Sequence, residues 1–356
     1  GIPMPFWSEE TAGNEPYDRR MVQSSGPFVL EPGAINDITT GVVYARSYDG
    51  TPWASVTKML QEDEKAQRLF ENCFQVVDGP DAPELTIIEQ DKKLIFHIWN
   101  KPTSNNYLEK YSERDPFIVC PLNDQDCNTN VEFQGYQVWQ LKDHTVSITD
   151  ATTHNSNLAR VIFQCDLRDG ISQIVNYEWN NEIEANQPVV EVEGANQGIS
   201  HTFVVEEDLF ATGIRTLVNF KEYYYLVVAY AYNSFKPYHQ NDPDSNDGQK
   251  RPYLAGRRGA GGPIKTYPVI PHKVSPEEGG TLIRSDFGDS PAITRIEGHG
   301  TGRNIVDIDT LTHNAIMAGP PWKVDAITYQ AGRSPINVTV ADPLNLVNDN
   351  YTVRFD

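Results

Sequence analysis

The loop 241–248 has the residue types that bind calcium. Asp242, Asp244 and Asn246 alternate along it, and hard divalent cations prefer several such oxygen ligands from one short segment. The spacing departs from the EF-hand pattern, because the glycine comes one position late and the closing glutamate is missing. Two interpretations therefore stay open: calcium binding at these three residues, or an ordinary solvated acidic loop.

Tyrosines and arginines surround this loop. Tyr238 precedes it, and Tyr253, Arg257 and Arg258 follow it, all within the connection 233–263. A basic stretch this short in an acidic chain does not indicate a nucleic-acid site. We expect the two tyrosines to anchor the connection against a neighbouring domain or partner chain, with the arginines pairing with carboxylates. The alternative is a loose surface loop, since a structureless connection of this length is commonly either functional or disordered.

The four cysteines offer one local disulfide. Cys120 and Cys127 flank six residues rich in turn formers, a segment that a bridge could close in an oxidising compartment. Cys73 lies in a predicted helix and Cys165 in a predicted strand, where buried thiols are common. A bridge between those two is the second pairing that the sequence leaves open. No paired C-x2-C spacing indicates a zinc site.

No recognised catalytic motif occurs in the chain. The eight histidines show no H-E-x-x-H spacing, and no G-x-S-x-G nucleophile turn is present. The glycine-rich segment 298–303 lacks the spacing of a phosphate-binding loop, which favours a hairpin. Two carboxylates could meet in three dimensions, as glycosidases require, but no pattern points to a pair. We therefore expect a chain that is not an enzyme and that uses no cofactor, the candidate calcium ion apart.

Composition restricts the partners. The formal net charge is −20 and the isoelectric point is about 4.7, which disfavours nucleic acid and anionic membranes. No apolar run reaches the length of a membrane span. The chain begins at Gly1 without a signal-peptide pattern, so we expect it to be part of a longer protein.

Hydrophobic periodicity predicts one helix and many strands. Apolar residues recur every three or four positions in 51–76, which predicts a connector helix that packs on a strand pair at 28–45. Glycine and prolines in 78–83 mark a boundary after it. The central region is predicted to contain seven strands, at 85–89, 93–99, 133–141, 158–166, 200–206, 221–232 and 264–270.

These elements predict an all-β, multi-domain architecture of β-sandwiches with one connecting helix. Residues 1–50 are interpreted as the C-terminal part of a preceding β domain, and 51–83 as the connector helix and linker. Residues 84–271 form the central sandwich, whose long insertions exceed the size of a minimal module. Residues 272–356 are predicted to form a further, incomplete β domain, with strands at 281–284, 292–297, 304–308, 323–329, 336–340 and 351–355.

Two of the predicted strands carry a family resemblance. Residues 133–140 (FQGYQVWQ) contain a G-Y-x-V pattern, and residues 222–232 (EYYYLVVAYAY) are rich in tyrosine and precede Asn233. They resemble the third and sixth strands of a fibronectin type III module, which implies that they pair across one sheet of one sandwich and that the module binds, spaces or displays. We expect the even-numbered positions from Tyr224 to Tyr230 to face the core, because that set holds more aliphatic bulk.

Five short stretches carry a second resemblance, namely 25–33, 63–67, 72–74, 78–83 and 161–166. They resemble segments of large secreted surface proteins of Bacteroidetes-type bacteria that are exported by type-nine secretion. The resemblance implies an extracellular or outer-surface location. It also implies a candidate O-glycan acceptor at Thr310, within an Asp-Thr-Leu sequence.

From these features we expect a non-catalytic extracellular segment of a cell-surface protein, with a structural or adhesive role. Its expected partners are neighbouring domains of the same longer protein or other surface proteins. The alternative is an accessory carbohydrate- or protein-binding module of a larger secreted enzyme.

Overall fold

The computed structural model describes most of the chain: residues 9–15, 17–47, 52–120, 127–152, 155–241, 248–291, 293, 307–325, 327–330, 333 and 336–354. The chain divides into two units, residues 1–42 and 43–356. The first unit contains the short helix α1 (Glu9–Ala12), and the second contains several antiparallel sheets and few helices. The prediction of a fold made mostly of β-sheet is therefore confirmed. Among the described residues, no helix is long and apolar enough to span a bilayer.

A three-stranded sheet has the order β1-β2-β8. β1 (Glu84–Gln90) and β2 (Lys93–Trp99) form a hairpin, and β8 (Thr202–Val205) pairs with the other edge of β2. β2 places Phe96 fully inside the protein. This sheet supplies one wall of the main core.

A larger sheet supplies the opposite wall. Its centre is β4 (Asn130–Leu141), which pairs antiparallel with β9 (Tyr223–Tyr232), so the expected pairing of these two strands is confirmed. β3 and β5 lie along the outer edge of β4, and β10 and β11 lie along the outer edge of β9. These four strands are, in order, Ser112–Arg114, Ala159–Asp166, Tyr253–Ala255 and Tyr267–Val269.

Aromatic side chains from both sheets meet in the main core. Phe96 meets Tyr225 of β9 edge-on, with 4.9 Å between ring centroids. Phe203 of β8 stacks on Phe163 of β5 at 3.8 Å. Such rings dominate a core because each buries a large apolar surface. Their contacts hold the two sheets face to face, as in a sandwich.

Both faces of β9 are covered. Its odd-numbered residues from Tyr223 to Ala231 belong to the main core, whereas Leu226 and Val228 pack in a second cluster with Trp139. The prediction that the even-numbered residues face the main core is therefore wrong. Aliphatic bulk does not identify the inner face of this strand, because other parts of the chain cover its outer face as well.

That outer cover comes from segments between the main strands. The β4–β5 connection contains α3 (Ile148–Thr152), whose Ala151 lies in the second cluster. The hairpin of β6 (Gln173–Asn180) and β7 (Ala185–Glu193) packs on Tyr230 from the same side. All seven predicted central strands are present, but the sequence reasoning missed β3, β6, β7 and β10. These four are either short or rich in polar residues.

The predicted connector helix exists as α2 (Pro52–Glu71), but the burial expected of its apolar stripe is not observed. None of its residues is buried, and the side chain of Phe70 is 53% exposed. The described residues 17–47 contain no strand, so the strand pair expected at 28–45 is also wrong. Isolated strand sequences do not form a sheet in water without further strands to pair with.

The described part of the C-terminal region 272–356 contains the helix α4 (Thr310–Met317) and a β-bridge between Ile308 and Tyr329. Asp309 caps the helix by accepting a hydrogen bond from the Thr312 amide at 2.6 Å. No extended strand forms among these described residues. This corrects the strands expected from the apolar runs at 281–284 and 336–340. The runs at 292–297, 304–308, 323–329 and 351–355 include residues outside the described ranges, so strands there stay predictions.

Candidate binding groove

A groove of about 650 Å³ lies beside β10 in the second unit. Its apolar walls include Val76, Phe117 and Ile148, and the side chains of the first two are 41% and 45% exposed. Its volume falls in the range of sites that bind small molecules or short segments. Exposed apolar walls of this kind favour contact with a partner.

The groove follows the strand edge that β9 does not use. Asn233 and Gly256 donate their amides to Pro252 and Ala229, respectively, across the β9–β10 pair. Backbone groups alternate in direction along an antiparallel strand. The amides and carbonyls of Tyr253 and Ala255 therefore point away from β9, toward the groove.

Only some of the backbone groups along this edge have hydrogen-bond partners within the chain. The Tyr253 amide donates to Oδ1 of Asn176 at 3.1 Å, and the Ala255 carbonyl lies beside Gly79. Among the described residues, the Tyr253 carbonyl and the Ala255 amide have no hydrogen-bond partner. One acceptor and one donor therefore remain open on this edge.

The three arginines near the groove have different surroundings. Arg258 lies 3.4 Å from a carboxylate oxygen of Asp78 and 3.5 Å from one of Asp81, and Arg251 lies 3.3 Å from Glu178. Arg257 is exposed, lines the groove and has no ion pair among the described residues. Among the described arginines of this region, Arg257 is therefore the one whose guanidinium can donate hydrogen bonds to a carboxylate from outside.

The remaining polar groups of the groove are mostly engaged. Burial raises the pKa of Asp115, and its carboxylate accepts a hydrogen bond from the Phe117 amide at 2.8 Å. Asn176 donates to Oε1 of Glu191 at 2.9 Å. The side-chain carbonyl of Gln249 is buried without a partner among the described residues. These groups add polar side chains to the lining of the groove, beside its apolar walls.

The tyrosines predicted to anchor the connection 233–263 do so inside the same unit. Tyr238 is buried, meets Tyr177 of β6 edge-on at 4.9 Å and accepts a hydrogen bond from Asn186 at 2.8 Å. The Tyr253 hydroxyl donates to Oε1 of Gln137 on β4 at 3.0 Å. The expectation that they contact a neighbouring domain or partner chain is therefore corrected, because the β6–β7 hairpin and β4 already occupy them.

A second polar cluster lies at the seam between the two sheets. His201 Nε2 lies 2.6 Å from Oε1 of Glu109, which also accepts a hydrogen bond from the Tyr136 hydroxyl at 3.2 Å. Asn100 donates to that hydroxyl at 2.6 Å. The hydrogen bond to Glu109 raises the pKa of His201, whereas burial lowers the pKa of His97. None of these side chains lines the groove.

The other predicted sites have different outcomes. Asp242, Asp244 and Asn246 lie outside the described residues, so calcium binding there stays a prediction. Cys120 and Cys127 form a disulfide, with 5.6 Å between their α-carbons. Cys165 is buried and Cys73 is exposed, both as free thiols. Within the described part of the chain, no group of three or more histidine, cysteine or acidic side chains could hold a metal ion.

Thr310 is exposed, but at the start of α4 rather than in a loop. The preceding Asp309 is engaged, because it accepts hydrogen bonds from the Thr312 amide and the Thr328 hydroxyl. The candidate glycosylation at Thr310 therefore stays a prediction.

Sequence reasoning found two groove residues, Tyr253 and Arg257, but missed Val76, Phe117 and Ile148. These three come from segments far apart in sequence, and no local pattern links them. Comparison of the chain with protein-family models, curated proteins and solved structures gives no match.

Proposed function

We propose that this chain is a non-catalytic segment of an extracellular cell-surface protein, and that its sandwich-like region serves adhesion by binding another molecule. The groove beside β10 is the observation that carries the proposal. It combines exposed apolar walls, two open backbone groups and an unpaired arginine. Surface modules recognise partners with such features, and no chemical step is needed for adhesion.

The strand order supports a fibronectin type III-like module. In chain order, the seven strands expected from the sequence divide into a sheet of the first, second and fifth and a sheet of the fourth, third, sixth and seventh. Fibronectin type III modules have this division, and they act mainly by binding and spacing. The Cys120–Cys127 disulfide supports an extracellular location, because such bridges persist in oxidising compartments. Export by type-nine secretion rests on the sequence resemblance alone.

The alternative function is an accessory binding module of a secreted enzyme, for carbohydrate or protein. Exposed tryptophans favour this alternative, since aromatic rings can stack on sugars. Trp179, in β6, is 58% exposed, and its indole nitrogen donates to Asn181 at 2.9 Å. A glycan array separates the two functions, because sugar binding that is lost in Trp179→Ala would favour the accessory module.

Location and adhesion can be tested on the native protein. A membrane-impermeant biotin reagent applied to intact cells should label this chain but not a cytosolic control. Beads coated with the full chain should attach to surface-protein preparations, and beads coated with albumin should not. Absence of labelling would contradict the surface location. Hydrolysis of a polysaccharide or peptide panel by the purified chain would contradict the non-catalytic assignment.

A further inference from the structure

We propose that the groove beside β10 binds an extended peptide by strand addition, and that Arg257 pairs with a carboxylate of that peptide. This inference rests on the proposed binding function and specifies its ligand class. The open Tyr253 carbonyl and Ala255 amide carry it, together with the unpaired Arg257 in the same groove.

The two open groups define how the peptide binds. They belong to the residues directly before and after Leu254. In a parallel pair, one residue donates its amide to the carbonyl before its partner and accepts from the amide after it. A single peptide residue opposite Leu254 therefore satisfies both groups, and the peptide runs parallel to β10.

The ends of the edge are closed, which limits the addition to a short segment. Asn176 occupies the Tyr253 amide at one end. At the other end the linker passes so closely that a Cβ at Gly256 would lie 2.0 Å from the Pro80 carbonyl oxygen. Main-chain pairing of this extent gives little affinity alone, so side-chain contacts must supply the rest.

The groove walls and charge specify those side chains. Val76, Phe117 and Ile148 favour β-branched or other apolar residues beside the docked position. Because the linker closes the edge at Gly256, pairing of the parallel peptide ends there. Its C-terminal side chains or its terminal carboxylate must therefore reach Arg257 across the groove that this arginine lines. An Asp or Glu side chain or the terminal carboxylate can form a bidentate pair with this guanidinium.

Selection from a random decapeptide library displayed on phage, against the intact chain, tests the ligand class. Enriched peptides should contain an apolar, β-branched segment followed within about three residues by an acidic group, given roughly 3.3 Å per extended residue. Synthetic versions with an amidated C terminus, or with Asn or Gln in place of the acid, identify which carboxylate binds. Enrichment of peptides without any dependence on a carboxylate would overturn the proposal, as would no enrichment at all.

Variants of the protein test the role of Arg257. By fluorescence anisotropy, Arg257→Ala should weaken binding of a labelled selected peptide at least about tenfold, the loss expected of a charge-assisted pair. Arg168→Ala is the matched control, because Arg168 is also exposed and without a partner among the described residues; it should leave affinity unchanged. Equal affinity for the wild type and Arg257→Ala would overturn the proposal.

N-methylation of the peptide tests strand addition without altering the protein. Methylation of one amide should weaken binding at least about tenfold, because that amide donates to the Tyr253 carbonyl. Methylation of its two neighbours should have little effect, since their amides point away from β10. Insensitivity at every position would overturn strand addition. Competition by the unlabelled chain, together with sedimentation as an oligomer formed through this groove, would identify the ligand as a second copy of the chain. That result would overturn the proposal of a separate peptide ligand.

The two proposals can fail separately. Bead attachment that persists in Arg257→Ala, together with no peptide binding, would leave the adhesive function in place and remove only the peptide site. Loss of surface labelling would contradict the proposed function even where the purified chain binds peptides.

Discussion

The central region 84–271 and the N-terminal segment 17–47 contain similar apolar residues with opposite surroundings. Val138 in β4 is fully buried, whereas Val29 and Val42 in the N-terminal segment are 91% and 99% exposed. The difference is that β4 has strands on both edges and side chains over both faces, while the described residues 17–47 form no strand. Strand-like composition therefore becomes a strand only where other strands complete its hydrogen bonds.

The largest expected effect compares two phenylalanines. Phe96→Ala should lower the free energy of unfolding by about 3–5 kcal/mol, because it leaves a cavity against Phe203 and Tyr225. Phe70→Ala in α2 should change it by less than about 1 kcal/mol, since that side chain is half exposed. Urea denaturation of both variants measures the two values. A large loss in Phe70→Ala would mean that α2 is covered in solution.

Acid should destabilise the central region 84–271 because it protonates Glu84. Burial opposes ionisation of this carboxyl, but hydrogen bonds from Lys101, Lys265 and Tyr267 outweigh it and lower its pKa from 4.5 to about 2. Because the folded pKa is depressed, the stabilisation is present above about pH 4.5 and is lost as pH falls toward 2.

Denaturation of the wild type and Glu84→Gln across this pH range measures the contribution of Glu84. The difference in the free energy of unfolding between the two proteins should shrink as pH falls. A difference that stays constant from pH 5 to pH 2 would contradict the assignment. Asp37→Asn is a control at an exposed carboxylate.

Gly135 tests how tightly β4 is covered. A Cβ at this position would lie 2.2 Å from the Cys165 carbonyl oxygen and 2.5 Å from the Tyr230 hydroxyl. Gly135→Ala should therefore cost about 1–3 kcal/mol, because the neighbouring strand must shift. Gly41→Ala, in the N-terminal segment, has no atom within 4 Å of the added Cβ and serves as the matched control. Thermal unfolding of both variants checks the difference.

The smallest expected effect concerns the histidines at the seam between the sheets. The pKa of His201 should lie above its usual 6.5 because of its hydrogen bond to Glu109, and that of His97 below it because of burial. Any stability from the His201–Glu109 contact is therefore present below pH 6.5 and is lost as pH rises through the raised pKa. NMR titration of both rings measures the two midpoints, and Glu109→Gln should lower that of His201. Equal midpoints in the wild type would contradict this arrangement.

The sequence predicted the central strands well because their apolar runs are long and bounded by turn residues. The same reasoning failed at 28–45 and in the C-terminal region, where short apolar runs were interpreted as strands. A local pattern cannot show whether a second strand is available for pairing. It also misassigned the inner face of β9, because a strand buried on both sides has no polar face to orient it.

The candidate site was predicted only in part. Tyr253 and Arg257 stood out because aromatic and arginine residues clustered in one long connection. Tyr238 and Tyr253 anchor the connection, as expected, but the residues that they contact lie within the same unit. The open strand edge of β10 could not be predicted, since it depends on which amides β9 and Asn176 already occupy.

The sequence by itself determined the β-rich character of the chain and the helix α2. These follow from local periodicity and turn residues, which act over a few neighbouring positions. Only the tertiary structure decided that both faces of β9 are covered and that, among the described residues, Arg258 has an ion pair and Arg257 has none. Those outcomes depend on residues brought together from distant parts of the chain, whose distances local sequence does not contain.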